Sequence, residues 1–133
     1  MCVYFSFFCF EIYSQENISE NICSSTKYFY PSGKISSEGC LFNGIPNGIW
    51  KSYYESGNIK SSGLWIENKL SGKWKFYNED YTLDREIEYE ADLKNGKEIV
   101  YFKNGNYNSI TVWLLNNKEL TQTIFYESGK IKY

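Results

Sequence analysis

Few residues in this sequence are equipped for chemistry. There is no histidine among its 133 residues. That removes serine–histidine and cysteine–histidine catalysis, histidine bases and histidine metal ligands together. The four cysteines, Cys2, Cys9, Cys23 and Cys40, form no CxxC pair and no paired zinc spacing. They read as small, partly buried thiols, with a Cys23–Cys40 disulfide open to the chain in an oxidising compartment. Glu86, Glu88 and Glu90 alternate, so on a strand they project from one face with carboxylates about 7 Å apart. An acid/base pair would also need a cleft holding the two groups at divergent pKa values, and no pattern here signals one. The expectation is a non-enzymatic protein, with no catalytic, cofactor-binding or metal-binding residue.

The elements that must carry these residues are strands. Aromatic residues make up 20% of the chain and Ala91 is its only alanine, a composition suited to half-buried strands and poor for helices. The length is that of one domain. Net charge is −2 with both signs interspersed, so no electrostatic footprint for nucleic acid or anionic lipid is present.

The organisation is a repeat. Gly33, Gly57, Gly105 and Gly129 lie at multiples of twenty-four residues, with Tyr81 in the vacant slot. The same shift aligns Phe29, Tyr53, Tyr77, Tyr101 and Phe125, then Ile35, Ile59, Leu83, Tyr107 and Ile131, then Leu41, Trp65, Tyr89 and Trp113. Gly48, Gly72 and Gly96 mark a further turn, with Trp50 and Trp74 two residues behind it. Self-similarity at a fixed period means tandem supersecondary units.

Each unit reads as a β-hairpin. Glu55-Ser56-Gly57 suits a three-residue loop, a type I turn whose glycine adopts αL in a G1 bulge. That loop pairs Tyr54 with Asn58 and Tyr53 with Ile59. The second turn is expected at Glu67–Gly72 and at the Asn-Gly pairs 47–48 and 95–96. The chain is then all-β, about ten strands in an elongated, twisted antiparallel meander. Simple alternation puts Ile49, Tyr53, Ile59 and Trp65 on one apolar face. Trp50, Leu64, Trp74 and Phe76 fall on the other, with Lys60, Asp84 and Glu86.

The pattern G-x-W-x-x-Y-Y-E-S-G-x-I-K-S-x-G at Gly48–Gly63 resembles the MORN-type repeat variant of the YwqK family of bacterial proteins. It is clear again at Phe125–Tyr133 and weaker over residues 77–100, where Tyr81 replaces the turn glycine and Glu98 the tryptophan. The resemblance covers roughly residues 28–133, about four and a half repeats. It implies a scaffold or binding surface for a protein partner, in that family the toxin that an antitoxin neutralises. It brings no catalytic residues.

The apolar run "MCVYFSFFCF" is too short to span a bilayer and matches the hydrophobic region of a secretory signal, with Ser14 near a cleavage point. No basic region precedes it, so residues 1–14 read as a degenerate or truncated signal peptide and residues 15–27 as a lead-in. Export to the cell envelope follows if that signal operates, cytoplasmic residence if it does not. An exported envelope scaffold is therefore the alternative to an antitoxin, and membrane association would come only through this segment. The expected partner anchors are Trp65, Tyr89 and Trp113, with Trp50 and Trp74 as the second choice.

Overall fold

A computed structural model describes residues 23–132; the expected signal segment and most of the lead-in lie outside the described residues. The strands are β1 (Ser24–Phe29), β2 (Ile35–Phe42), β3 (Ile45–Pro46), β4 (Gly48–Tyr53), β5 (Ile59–Ile66), β6 (Lys69–Tyr77), β7 (Leu83–Glu90), β8 (Leu93–Tyr101), β9 (Tyr107–Leu114) and β10 (Asn117–Ile124). They form one antiparallel sheet in chain order, with β3 pairing β2 beside the β2–β4 ladder. There is no helix among the described residues. The first strand starts at Ser24, inside the stretch expected to be lead-in.

The three-residue loops close as their sequence requires. Tyr54 N–H donates to the Asn58 carbonyl at 2.8 Å, and Gly57 N–H donates to the Tyr54 carbonyl at 2.8 Å. Beyond the loop Tyr53 lies opposite Ile59, as Phe29 lies opposite Ile35, Tyr77 opposite Leu83 and Tyr101 opposite Tyr107. The turn at Glu79–Tyr81 has the same geometry although its glycine is missing. Asn78 N–H donates to the Thr82 carbonyl at 2.8 Å, and Tyr81 takes φ 67°. Asp80 supports it by accepting from the Thr82 hydroxyl and N–H. Those bonds, with Lys103 alongside, hold the Asp80 carboxyl down at about 2.

The second turn falls inside the expected Glu67–Gly72 but not at the Asn-Gly pairs 47–48 and 95–96. It is a two-residue loop at Asn43-Gly44, Glu67-Asn68, Ala91-Asp92 and Leu115-Asn116, with both residues at positive φ, the signature of a type I′ hairpin. Gly48, Gly72 and Gly96 instead lie within strands, also at positive φ. There the even-numbered strand carries extra residues relative to its predecessor: Leu64 faces Ser71, but Ser62 faces Lys75. The bulge lets each hairpin tip bond the strand before it. Asp92 N–H donates to the Leu70 carbonyl while the Asp92 carboxylate accepts from Leu70 N–H, and Asn116 repeats the pair on Lys94.

A second irregularity decides the faces. In β4–β5, Ser52 faces Ser61 but Tyr53 faces Ile59, so Lys60 is an extra residue. One extra residue reverses the alternation of all that follows on its strand. Trp65 therefore shares a face with Trp50, and Leu64 with Ile49, the reverse of simple alternation. The same slip recurs beside Phe29, Tyr77 and Tyr101, which carries Tyr89 and Trp113 to the tryptophan side as well. Glu86 moves the other way, away from Trp74.

The two faces, here called the tryptophan face and the tyrosine face, differ in how they cover themselves. The buried apolar side chains, Trp50, Trp74 and Ile87, all lie on the tryptophan face. A single sheet has no second layer, so this burial comes from adjacent strands. The Trp74 indole lies across Gly63 and the Trp50 indole across Gly39, where a Cβ would overlap the ring. Each indole N–H donates to the next carbonyl of that strand, Trp74 to Leu64 and Trp50 to Cys40, both at 3.1 Å. On the tyrosine face, Tyr53 and Tyr101 hydroxyls donate to Glu38 and Glu86 at 2.5 and 2.9 Å. Partial burial, then these carboxylates, push both phenols up to about 12.

Two substitutions test this account. Tyr81→Gly relieves a left-handed residue that is exposed, and should stabilise the protein by about 1 kcal/mol in chemical denaturation. Gly63→Ala should destabilise it by about 1–3 kcal/mol by displacing the Trp74 ring, whereas Gly57→Ala should act only through backbone strain.

Candidate functional site

The tryptophan face carries a continuous row of side chains at mid-strand. Cross-strand partners Trp50 and Gly63, Trp74 and Ile87, and Glu98 and Thr111 succeed one another along it. In the first two units a tryptophan covers a glycine. In the third, Ile87 occupies the glycine slot and Glu98 the tryptophan slot; in the fourth, Thr111 and Gln122 do. Small and large change together, because an isoleucine Cβ and side chain leave no floor for an indole.

Glu98 is 8% exposed, and a buried carboxylate must be paired. Its Oε2 accepts from Lys94 Nζ at 2.8 Å and from Trp113 Nε1 at 2.7 Å, and Arg85 Nη1 lies 3.9 Å from Oε1. Lys94 Nζ also stands 4.5 Å from the centroid of the Trp113 ring, a cation–π geometry. Asp84 accepts from Arg85 Nε at 2.7 Å and raises the guanidinium's pKa. Burial, with the Glu98 charge adding to it, raises that of the Tyr89 phenol.

Two shallow depressions open on this face. One, of about 270 Å³, lies among Trp50, Trp65 and Trp74 over Ser37, Ser52 and Ser61. Trp65 meets Trp74 edge-on, with ring centroids 5.9 Å apart. The other, of about 460 Å³, is lined by Phe76, Arg85, Tyr89 and Lys94, with Tyr54 and Asp84 at its margin.

The structure thus unites all five aromatic candidates on one face and divides their tasks. Trp50 and Trp74 are 9% and 6% exposed; they support the surface rather than offer anchors. Trp65, Tyr89 and Trp113 are partly exposed beside them. They do not lie on the Tyr53–Ile59 side where alternation had placed them. Sequence reasoning overlooked Arg85 and Lys94; Arg85 departs from a slot that holds Ser37, Ser61 and Ser109, whereas Lys94 departs from Pro46 and Leu70 but shares its slot with Lys118.

The acidic strand is held in local contacts. Glu86, Glu88 and Glu90 share the tyrosine face. Lys73 and Lys75 stand 3.7 and 3.6 Å from Glu86, Lys97 N–H donates to Glu88, and Asn95 donates to Glu90. No group of three or more metal-ligating side chains converges among the described residues. At the end of the sheet, Cys23, the residue before β1, and Cys40 on β2 are diagonal neighbours, joined as a disulfide with Cα atoms 5.5 Å apart. That separation is ordinary for such a bond.

Residues 25–43, 46–67 and 118–133 match the MORN repeat variant. No curated protein shows significant similarity to the chain. The all-β sheet of tandem hairpins accords with these matches, which cover less than half of the chain and make it similar to the MORN repeat variant. The interval between the matches, 68–117, keeps the hairpin geometry and holds Tyr81, Ile87 and Glu98. It is where the repeat departs from its own template.

Glu98→Ala should cost about 2–3 kcal/mol by stranding Lys94 and the Trp113 N–H. Glu98→Gln, which still accepts from Trp113, should cost less. Equal losses in urea denaturation would mean that the charge alone matters, and no loss in Glu98→Gln would mean that the carboxylate merely fills space.

Proposed function

We propose that this protein is a non-enzymatic repeat module that binds another protein through its tryptophan face. The observation that carries the reading is the trio Trp65, Tyr89 and Trp113, partly exposed on one face: Trp65 lines the smaller depression, Tyr89 the larger, and Trp113 stands beside Lys94 of the larger one. Large aromatic side chains held in place are the usual anchors of protein interfaces. Arg85 and Lys94, which line the larger depression, add polar recognition next to them.

The resemblance to the YwqK family supports a narrower form, in which the partner is a toxin that the module neutralises. A different observation favours the alternative of an exported envelope scaffold: the Cys23–Cys40 disulfide, a bond that persists mainly outside reducing compartments. The two forms share the binding face and differ in the partner's identity and location.

The experiment is affinity capture from native cells, followed by titration of the captured partner against Trp65→Ala, Tyr89→Ala and Trp113→Ala. Each truncation should weaken binding by about 2 kcal/mol while the protein stays folded by circular dichroism. Unchanged affinity in all three would sink the reading. A partner that arrests growth when expressed alone identifies the antitoxin form, and an envelope component identifies the scaffold.

A further inference from the structure

Among the described residues, nothing covers the tyrosine face. Among the described residues, the exposed large apolar side chains on strands fall on this face apart from Tyr28; they include Phe29 at 59%, Ile49 at 59% and Leu93 at 38%. Yet its charges are not scattered. On β6 the tyrosine-face positions include Lys73 and Lys75, and the residues directly opposite them on β7 are Glu88 and Glu86. A lysine strand therefore stands beside a glutamate strand at the middle of the sheet.

We infer that the tyrosine face docks on the same face of a second copy of this chain, about a two-fold axis parallel to the strands and midway between β6 and β7. The operation lays β6 of one copy over β7 of the other, and β5 over β8. Lys75 then covers Glu86 of the second copy, and Lys73 covers Glu88 of the second copy, each contact occurring twice. A two-fold axis across the strands would instead lay β6 on β6, lysine on lysine. Charge selects the first arrangement.

The apolar residues obey the same operation. The row beside the three-residue turns reads Ile59, Tyr77, Leu83, Tyr101 over β5–β8, from the pairs Tyr77–Leu83 and the adjoining ladders. Reversing it sets Ile59 over Tyr101 and Tyr77 over Leu83, aliphatic against aromatic throughout. Towards the other edge, Leu64 faces Ser71, Glu90 faces Leu93, and the β6–β7 ladder brings Ser71 level with Glu90. Leu64 accordingly meets Leu93 of the second copy. Such isologous self-complementarity is what a closed two-fold dimer requires.

The size is adequate. Six central strands, about 4.8 Å apart and about 27 Å long, present on the order of 800 Å² per copy, the usual share of one partner in a stable interface. The tryptophan face remains free, so the inference stands whichever protein that face binds.

Sedimentation equilibrium of the full chain tests it. The wild type should be a dimer, and Lys73→Glu or Glu88→Lys alone should weaken association about tenfold or more. An equimolar mixture of the two should recover dimers, because each reversed charge then meets its opposite across the interface. Leu64→Lys and Leu93→Glu form an independent pair, since these residues lie on strands that do not adjoin within one copy. Each should dimerise poorly alone and well when mixed. A monomeric wild type, unchanged association in the single variants, or mixtures that stay monomeric would each overturn the inference.

Discussion

The rest of the structure depends on an indole lying across a glycine of the preceding strand. A single sheet has no opposing layer, so apolar surface leaves water only by spreading over neighbours in the same plane. Trp74 does so over Gly63 and Trp50 over Gly39, and each ring ties its N–H to the carbonyl that follows the glycine. Bulk and hydrogen bond are satisfied together. Tyr28 and Phe76 extend the cover by stacking on Trp50 and Trp74 at 6.1 and 6.3 Å.

This arrangement makes glycine and tryptophan one device rather than two features. When one member changes, the other must, and units three and four show it with Ile87 and Glu98, then Thr111 and Gln122. The tyrosine face has its own coupled pair. Tyr53 meets Glu38 and Tyr101 meets Glu86; between them Tyr77 has Ser62 in the carboxylate slot, and the fourth-unit positions Phe125 and Ile110 lose hydroxyl and acceptor together. Stability in such a ladder is a sum of unit and neighbour contributions, so a departure confined to one unit is tolerated if its own pair stays matched.

The departure at Glu98 places charge where its neighbours place an aromatic ring. A buried carboxylate with Lys94, Trp113 and Arg85 around it contributes less to stability than a tryptophan packed on glycine, because desolvation offsets most of the attraction. What it adds is polarity and fixed orientation beside Tyr89 and the larger depression. Local rules are most often broken at functional positions, and here the break falls between the segments that match the repeat variant.

Much of this was legible in the residues. The period of twenty-four, the three-residue loops and the facing columns from Phe29–Ile35 to Phe125–Ile131 follow from turn chemistry and repetition, which are local. Even Tyr81 was marked by its slot as a residue at positive φ, since the turn's closing bonds demand it. Which face each later residue occupies was not legible. A single extra residue at Lys60 reverses the strand beyond it, and only the partner strand's ladder decides where that residue is accommodated. The same holds for the convergence of Arg85, Lys94 and Trp113 on Glu98. These are relations between strands, set by cross-strand register and close packing, and no one segment of sequence contains them.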